Sequence, residues 1–487
     1  MTAVDDSISA LDTKLPRNGP AMQPVPDGFT VDAEKVASVE RQLLDAGVKF
    51  CYATYVDIHG IPKAKTTPID KFEKMCTGHE LYTVGAVEGL GLAGPHEDEC
   101  ATIPDLDSMV ICPWNRSLAW FSSDLYYHGE PYPNSPRGLL KRQMDRAAER
   151  GLVLNLGIEP EFYVYREDEK GKPRPITTSR FKGPNACYDF NLTDESLAFL
   201  EPMVAALEEL GWGLFSFDQE CGRGQHEFDF GFADALTMSD RFIFLRTLAK
   251  RVARSIGATA TFMPKPFADD FRSGAHFNMS IADHDSGENL FEPGAEPGEL
   301  AEKYGIPVSD RAYHFAAGIL KHAGAITAMT CPTYNSYQGL IAQGDLDDFS
   351  WAPVLEAYGR NNRSAMLRMP LNRACVENRA VDMSVNPYFA AAITLAAGLE
   401  GIDQQLDPGQ PINVDMYQLT MSDLKAMGVE RLPPTLLHAL EAFEADELTA
   451  ETFGDYRDLY LEHKRKEWAR GFYRVTDEQR AFHLDFI

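Results

Sequence analysis

Along residues 152–166, apolar and polar positions alternate with the period of a β-strand. Leu154, Leu156, Ile158, Phe162 and Val164 fall on one face, and Glu159 and Glu161 on the other. At strand geometry two such carboxylates lie about 7 Å apart. Held that close, they repel and raise each other's pKa unless a positive partner stands between them. The pattern recurs downstream. Phe215 and Phe217 alternate with Asp218 and Glu220. After a glycine-containing turn, Phe228, Phe230 and Phe232 oppose Gln225, Glu227 and Asp229. Ala275, Phe277, Met279 and Ile281 oppose His276, Asn278 and Ser280, and Glu377 shares a face with Arg379.

Other segments have helical spacing. Residues 35–47 predict a helix, and 48–69 a strand, turn and strand with His59-Gly60 at the turn. Residues 81–134, rich in Gly, Pro and Asp, predict loops with short strands. A helix then opens at Ser135, which suits its cap, with Pro136 at its first position and Gly151 at its end. The expected organisation is a tail over 1–34, a first domain over 35–134, and an α+β catalytic domain over 135–487.

Composition narrows the function. The 487 residues carry a net charge of -27, which argues against a nucleic-acid partner. No run approaches the roughly 18 apolar residues of a membrane span, and 1–34 lack the apolar core of a signal peptide. The eight scattered cysteines, with no CxxC pair, are expected to be reduced thiols of a cytoplasmic protein.

Each polar strand face alone is the ordinary solvated side of an antiparallel sheet. Together they are something else. Glu159, Glu161, Glu220, Glu227, Glu377 and His276 are oxygen ligands plus one imidazole, a set suited to Mg²⁺ or Mn²⁺ rather than zinc or copper. Two hard cations side by side are the usual clamp for phosphoryl transfer, and they answer the repulsion between Glu159 and Glu161. Arg363, Arg368 and Arg379 add forked guanidinium groups that match phosphate or carboxylate oxygens.

In the order "VDIHG", "IPDLDS", "GIEPEFY", "GQHEF", "ATFMPKPF", "SGAH", "NNRSAMLRMP", "VENR" and "NPYF", these residues resemble the glutamine synthetase family over about 35–487. The resemblance implies an N-terminal β-grasp domain, a catalytic domain with a curved antiparallel sheet, and a ring homo-oligomer, decamer or dodecamer, with active sites between subunits. It implies that Glu161, Glu220 and Glu227 hold one metal and Glu159, His276 and Glu377 a second. Arg363 and Arg368 would hold the phosphates of ATP, and Arg379 the γ-carboxylate of glutamate. Phe232 and Ser280 fall at nucleotide contacts. Asp57 and Tyr188 fall at the ammonium site, Asp57 reaching in from a neighbouring subunit. The implied chemistry is formation of an acyl phosphate, then its displacement by an amine.

Four positions depart from the family pattern. Asn278 replaces the second, phosphate-contacting histidine. Arg272 replaces a glycine at the amino-acid end of glutamate. Gly339 replaces the arginine that binds the α-carboxylate, so Arg272 is expected to supply that charge. Trp351 stands where the flap carries a glutamate that deprotonates ammonium. The "WAP" flap looks like the branch containing γ-glutamylmethylamide and γ-glutamylanilide synthetases. The leading expectation is therefore a glutamate–amine ligase for an aromatic amine or an alkylamine. The alternatives are ammonia-dependent glutamine synthesis, a methylamine-specific enzyme, and a catalytically silent structural ring. Tyr417 matches the family's adenylylated tyrosine only weakly, and that control is not expected.

Overall fold

The computed structural model describes residues 23–92, 94–177, 186–341 and 351–484. The N-terminal tail expected over 1–34 lies largely outside them. The first helix, Ala33–Asp45, starts two residues before its expected position and is capped by the Asp32 side chain, which accepts from Lys35 N. The strands Phe50–Val56 and Pro62–Pro68 form the expected antiparallel hairpin, in register from Phe50 opposite Pro68 to Val56 opposite Pro62. Gly60 makes its turn at φ +68°, a backbone conformation that suits glycine.

A ten-residue strand, Leu118–Tyr127, runs where loops and short strands were expected. It lies parallel to Phe50–Val56 and antiparallel to Cys100–Pro104, at the middle of a seven-stranded sheet. Its sequence does not alternate because both of its faces are covered. Phe121 packs with Val39, Leu43 and Phe72 under the first helix. Trp120 points the other way, into the main core, edge-on to Phe244.

The helix Pro136–Ala148 has the predicted Ser135 cap on Gly138 N and Pro136 in its first turn. Arg137, on its buried side, bonds Asp105, Asp124 and Asp240 at 2.7–3.2 Å and so ties this helix to both flanking segments.

The larger sheet has ten strands built around Leu152–Glu167. One half of this central strand pairs with Ala275–Asp283, the other with Gln225–Phe230; Leu214–Gln219 forms one edge, and Val376–Asn378 pairs beyond Ala275–Asp283. The apolar face of the central strand packs on the helices Leu197–Glu209 and Ala235–Ser255. Behind them runs Pro387–Asp403, a helix buried on nearly all sides. No helix among the described residues is long and apolar enough to cross a membrane.

Three expectations need correction. Phe215 and Phe217 do not form a core face; they are exposed, because their strand is an edge whose register shifts between Leu214 and Ser216. Phe232 lies beyond the end of its strand, at Phe230, and is also exposed. Cys187 and Cys221 form a disulfide, whereas the other six cysteines are free and buried. Their 34-residue separation in sequence hid a Cα–Cα distance of 4.0 Å.

Candidate active site

Register assembles the site. On the central strand Glu159 faces His276 and Glu161 faces Glu227, each as a directly opposed cross-strand pair. One strand further out, Glu377 faces Asn278 on one side and Arg368 on the other. Glu220 follows the end of the edge strand, where its carboxylate accepts from Cys221 N at 2.7 Å.

The result is two adjacent triads. Glu161, Glu220 and Glu227 each offer one oxygen, and these atoms lie within 4.8 Å of one another. Glu159, His276 and Glu377 satisfy the same condition with two oxygens and an imidazole nitrogen. His276 stands between the triads: Nδ1 is 3.5 Å from Glu159 and 4.0 Å from Glu377, and Nε2 is 3.5 Å from Glu161. Gly274 permits this crowding, since a Cβ there would come within 2.9 Å of both His276 Nε2 and Glu161 Oε1. Glu161 is held from behind by Gly274 N at 2.9 Å and Gln225 at 3.4 Å.

The triads differ in charge. Loss of water and the neighbouring Glu161 push Glu220 up to about 8. Glu227 is raised well above the usual carboxylate range by desolvation, with Glu161 and Asp229 adding to it. Asp218 and Asp229 beside them are pushed up to about 6, mainly by desolvation. Asp218 Oδ1 is buried with no hydrogen-bond partner. In the other triad burial also opposes charge, but His276, Arg373 and Arg379 outweigh it and hold Glu159 down at about 2. Arg368 and Arg379 donate to the two oxygens of the wholly buried Glu377 at 2.5 and 2.7 Å, and its pKa is lowered despite burial. These donor sets fit hard divalent cations. The first triad in particular concentrates carboxylates that repel one another until a cation or protons join them.

A cavity of 590 Å³ opens over both triads. Arg363, Arg368 and Arg379 line it together. Burial and the other two arginines lower the pKa of Arg363, with Glu377 opposing them only in part. Tyr188 lines the cavity from a left-handed backbone at φ +58°, and the Cys187–Cys221 disulfide forms part of the same wall. Trp351, Ala352, Pro353 and Ile341 give it an apolar side. The Tyr417 hydroxyl braces that side by donating to Ala352 O at 2.8 Å.

Arg272 and Gly339 also line the cavity and touch each other. A Cβ at position 339 would come within 2.9 Å of Arg272 Cβ, so the glycine leaves space for the arginine. Arg272 donates to Arg379 O and Val381 O at 3.2 and 3.0 Å, while its Nε is buried without a partner.

Other expected residues lie off the cavity lining. Phe232 and Asn278 flank Gly157, and Ser280 follows two residues along the same strand face. Asp57 is buried in its own hairpin, accepting from His59 N and Ile61 N at 2.9 Å and pairing with Lys63 at 3.1 Å. Arg373, which sequence reasoning passed over, bonds both Glu159 and Asn278. Its only sequence signal was a position four residues before Glu377.

Residues 133–483 match the catalytic domain of glutamine synthetase. The chain is 35% identical to glutamate–methylamine ligase of Methyloversatilis universalis, over 93% of its own length and 99% of the relative's. It is 33% identical to glutamine synthetase of Rhizobium leguminosarum bv. phaseoli, over 91% and 98%. Among solved structures it is similar to a GmaS/ADP complex, at 33% identity and a TM-score of 0.83, covering 92% of this chain and 99% of that one. It is also similar to apo GmaS without ligand, at 34% and 0.81, covering 94% and 100%. With this match spanning the sheet, both triads and the arginines that face them, the chain belongs to the glutamine synthetase family.

Proposed function

We propose that this chain is an ATP-dependent carbon–nitrogen ligase that joins the γ-carboxylate of glutamate to an organic amine. The observation that carries the reading is the pair of triads, bridged by His276 and facing three arginines across one cavity. Two divalent cations, Mg²⁺ or Mn²⁺, would be held by Glu161, Glu220 and Glu227 and by Glu159, His276 and Glu377, and would offset the phosphate charge of ATP. Arg363 and Arg368 hold the phosphates during transfer, with Phe232, Asn278 and Ser280 on the nucleotide side. Arg379 orients the γ-carboxylate for attack on the terminal phosphorus of ATP. This yields γ-glutamyl phosphate and ADP. The amine then attacks the acyl carbon, and phosphate leaves in place of an oxide that could not.

Arg272 takes the α-carboxylate of glutamate. Its contact with Gly339 supports a transfer of that role from one position to the other. Tyr188 and Trp351 border the amine. Trp351, Ile341, Ala352 and Pro353 offer hydrocarbon surface rather than a base, which favours an amine with an apolar part. An arylamine such as aniline is neutral at pH 7 and needs no strong base, whereas alkylamines and ammonium must lose a proton. Similarity to the methylamine ligase also supports an organic amine. Asp57 lies outside the cavity of its own chain, which supports a ring homo-oligomer, decamer or dodecamer, in which Asp57 of the partner subunit completes each site.

The test is a panel of aniline, isopropylamine, methylamine and ammonium with glutamate, ATP and Mg²⁺, read by mass spectrometry of the amides and by kcat/KM. The expected result is a γ-glutamyl amide of an organic amine, with aromatic and larger alkyl amines ahead of methylamine. A clear preference for ammonium would return the enzyme to glutamine synthesis. ADP formation with none of the amines would remove the ligase reading.

A further inference from the structure

Arg373 lies between the strands Leu367–Met369 and Val376–Asn378, at the solvent edge of the second triad. Its Nη2 donates to Glu159 Oε1 at 3.0 Å and to Asn278 Oδ1 at 2.7 Å. Asn278 Nδ2 donates to the same Glu159 oxygen at 2.9 Å. The three side chains therefore close a ring, with Arg373 as its most exposed member, at 40% against 21% for Glu159. The ring covers Glu159 from the side that opens to solvent and leaves Oε2 toward His276.

This placement differs from that of the other arginines. Arg379 and Arg368 grip Glu377, which is fully buried, and Arg368 is pinned a second time by Asn361 at 2.6 Å. Glu159 and Glu377 belong to the same triad, but the Arg373–Glu159 bond is the solvent-facing one: both of its members are partly exposed, whereas Arg368 and Arg379 hold a carboxylate with no exposure. A guanidinium and a divalent cation compete for the same carboxylate charge. Once a cation takes that charge, Arg373 keeps neutral anchors, the carbonyl of Asn278 and the Cys375 thiol beside it, and its own charge is released.

We propose that Arg373 is a phosphate-binding residue that exchanges partners. It neutralises Glu159 in the nucleotide-free chain, yields it to the divalent cation, and then pairs with a phosphate oxygen of the nucleotide while Asn278 holds it in place. This rests on the ligase reading, since it takes the Glu159 triad as a cation site and the adjoining face as the nucleotide's. It predicts opposite signs for two affinities. Removing the guanidinium strengthens cation binding in the absence of nucleotide and weakens nucleotide binding in the presence of the cation. A purely structural role would move both affinities the same way or neither.

The experiment uses the full chain with Arg373→Gln and Arg373→Lys, checked for folding by thermal melting. Isothermal titration is run with Mn²⁺ alone, then with ADP at saturating Mg²⁺, and KM is measured for ATP and for glutamate. For Arg373→Gln we expect tighter Mn²⁺ binding by about threefold or more, and ADP binding weakened about tenfold or more, the loss of a charged hydrogen bond. The KM for ATP rises in parallel, while that for glutamate does not change. Arg373→Lys recovers part of the ADP affinity, as a point charge without the fork. If wild type binds Mn²⁺ and ADP and Arg373→Gln matches it in both, the proposal fails and the ligase reading stands. If Arg373→Gln weakens Mn²⁺ and ADP together, Arg373 is a structural brace and the proposal also fails. If wild type binds neither, the ligase reading fails and the proposal with it.

Discussion

Glu377 and Glu227 are ligand candidates on the same sheet, and their surroundings are opposite. Glu377 has an arginine on each oxygen and a lowered pKa. Glu227 has Glu161 opposite it across the strand pair, Glu220 and Asp229 nearby, and a raised pKa. One triad is balanced by protein cations before any ligand enters. The other is a concentration of negative charge that protons or a metal must relieve. The same residue type thus serves two purposes. In the balanced triad the carboxylates keep a fixed geometry and hold arginines in place. In the unbalanced triad they store repulsion that favours cation binding.

The largest effect should be on turnover. Glu161→Ala removes the first triad's carboxylate that also faces His276 of the second at 3.5 Å, and should lower kcat by about 10³-fold, on the scale seen when one electrostatic stabiliser is lost from an active site. Chelation of metal should reproduce this loss in wild type, and excess Mg²⁺ should reverse it. Full activity in a chelated, metal-free sample would end the two-cation model.

Stability should separate the triads by sign. Glu377→Gln leaves Arg368 and Arg379 without their buried counter-charge, and breaking such a pair costs about 3–5 kcal/mol. Glu227→Gln relieves repulsion, so in the metal-free chain it should leave stability unchanged or raise it. Denaturant unfolding in the presence of a chelator measures both. Equal destabilisation by the two variants would abolish the distinction.

The smallest effect is a pH dependence. Glu220 titrates in the folded chain at about 8, above its ordinary value. Its contribution to stability is therefore present below the ordinary carboxylate range and lost as pH rises through about 8. Glu159 is held at about 2, so its contribution is lost only as pH falls toward that value and is flat near neutrality. Metal-free protein should lose melting temperature from about pH 5 up to about pH 8 and level off above it. Mg²⁺ should restore more of it at the alkaline end, and Glu220→Gln should flatten the curve while Glu159→Gln does not. A falling limb between about pH 5 and 8 unchanged by Glu220→Gln would show that another group carries it.

Much of the site was legible because strand alternation is a local property. The period of two put Glu159 and Glu161 on one face of Leu152–Glu167, and His276 and Asn278 on one face of Ala275–Asp283. The same rule failed where its assumption of one covered face failed. Leu118–Tyr127 is covered on both sides and does not alternate. Phe215 and Phe217 alternate, but on an edge strand that leaves both exposed, Phe217 reaching the core only through its stack on Phe228. Cys187 and Cys221 carried no signal because their nearness comes from two loops meeting.

The sequence by itself determined the candidate ligand set, the hard-cation chemistry such a set suits and most of the strands that carry it, because donor type and residue period are local. Tertiary structure alone decided which carboxylate faces which partner. Register set His276 against Glu159 and Glu227 against Glu161. Chain folding brought Arg368, Arg373 and Arg379 to one triad, while the other received mainly acidic neighbours with His276 at its edge. Two triads of similar composition thereby acquired opposite charge balance, since Coulomb energy depends on distances between residues far apart in the chain, and no local pattern encodes them.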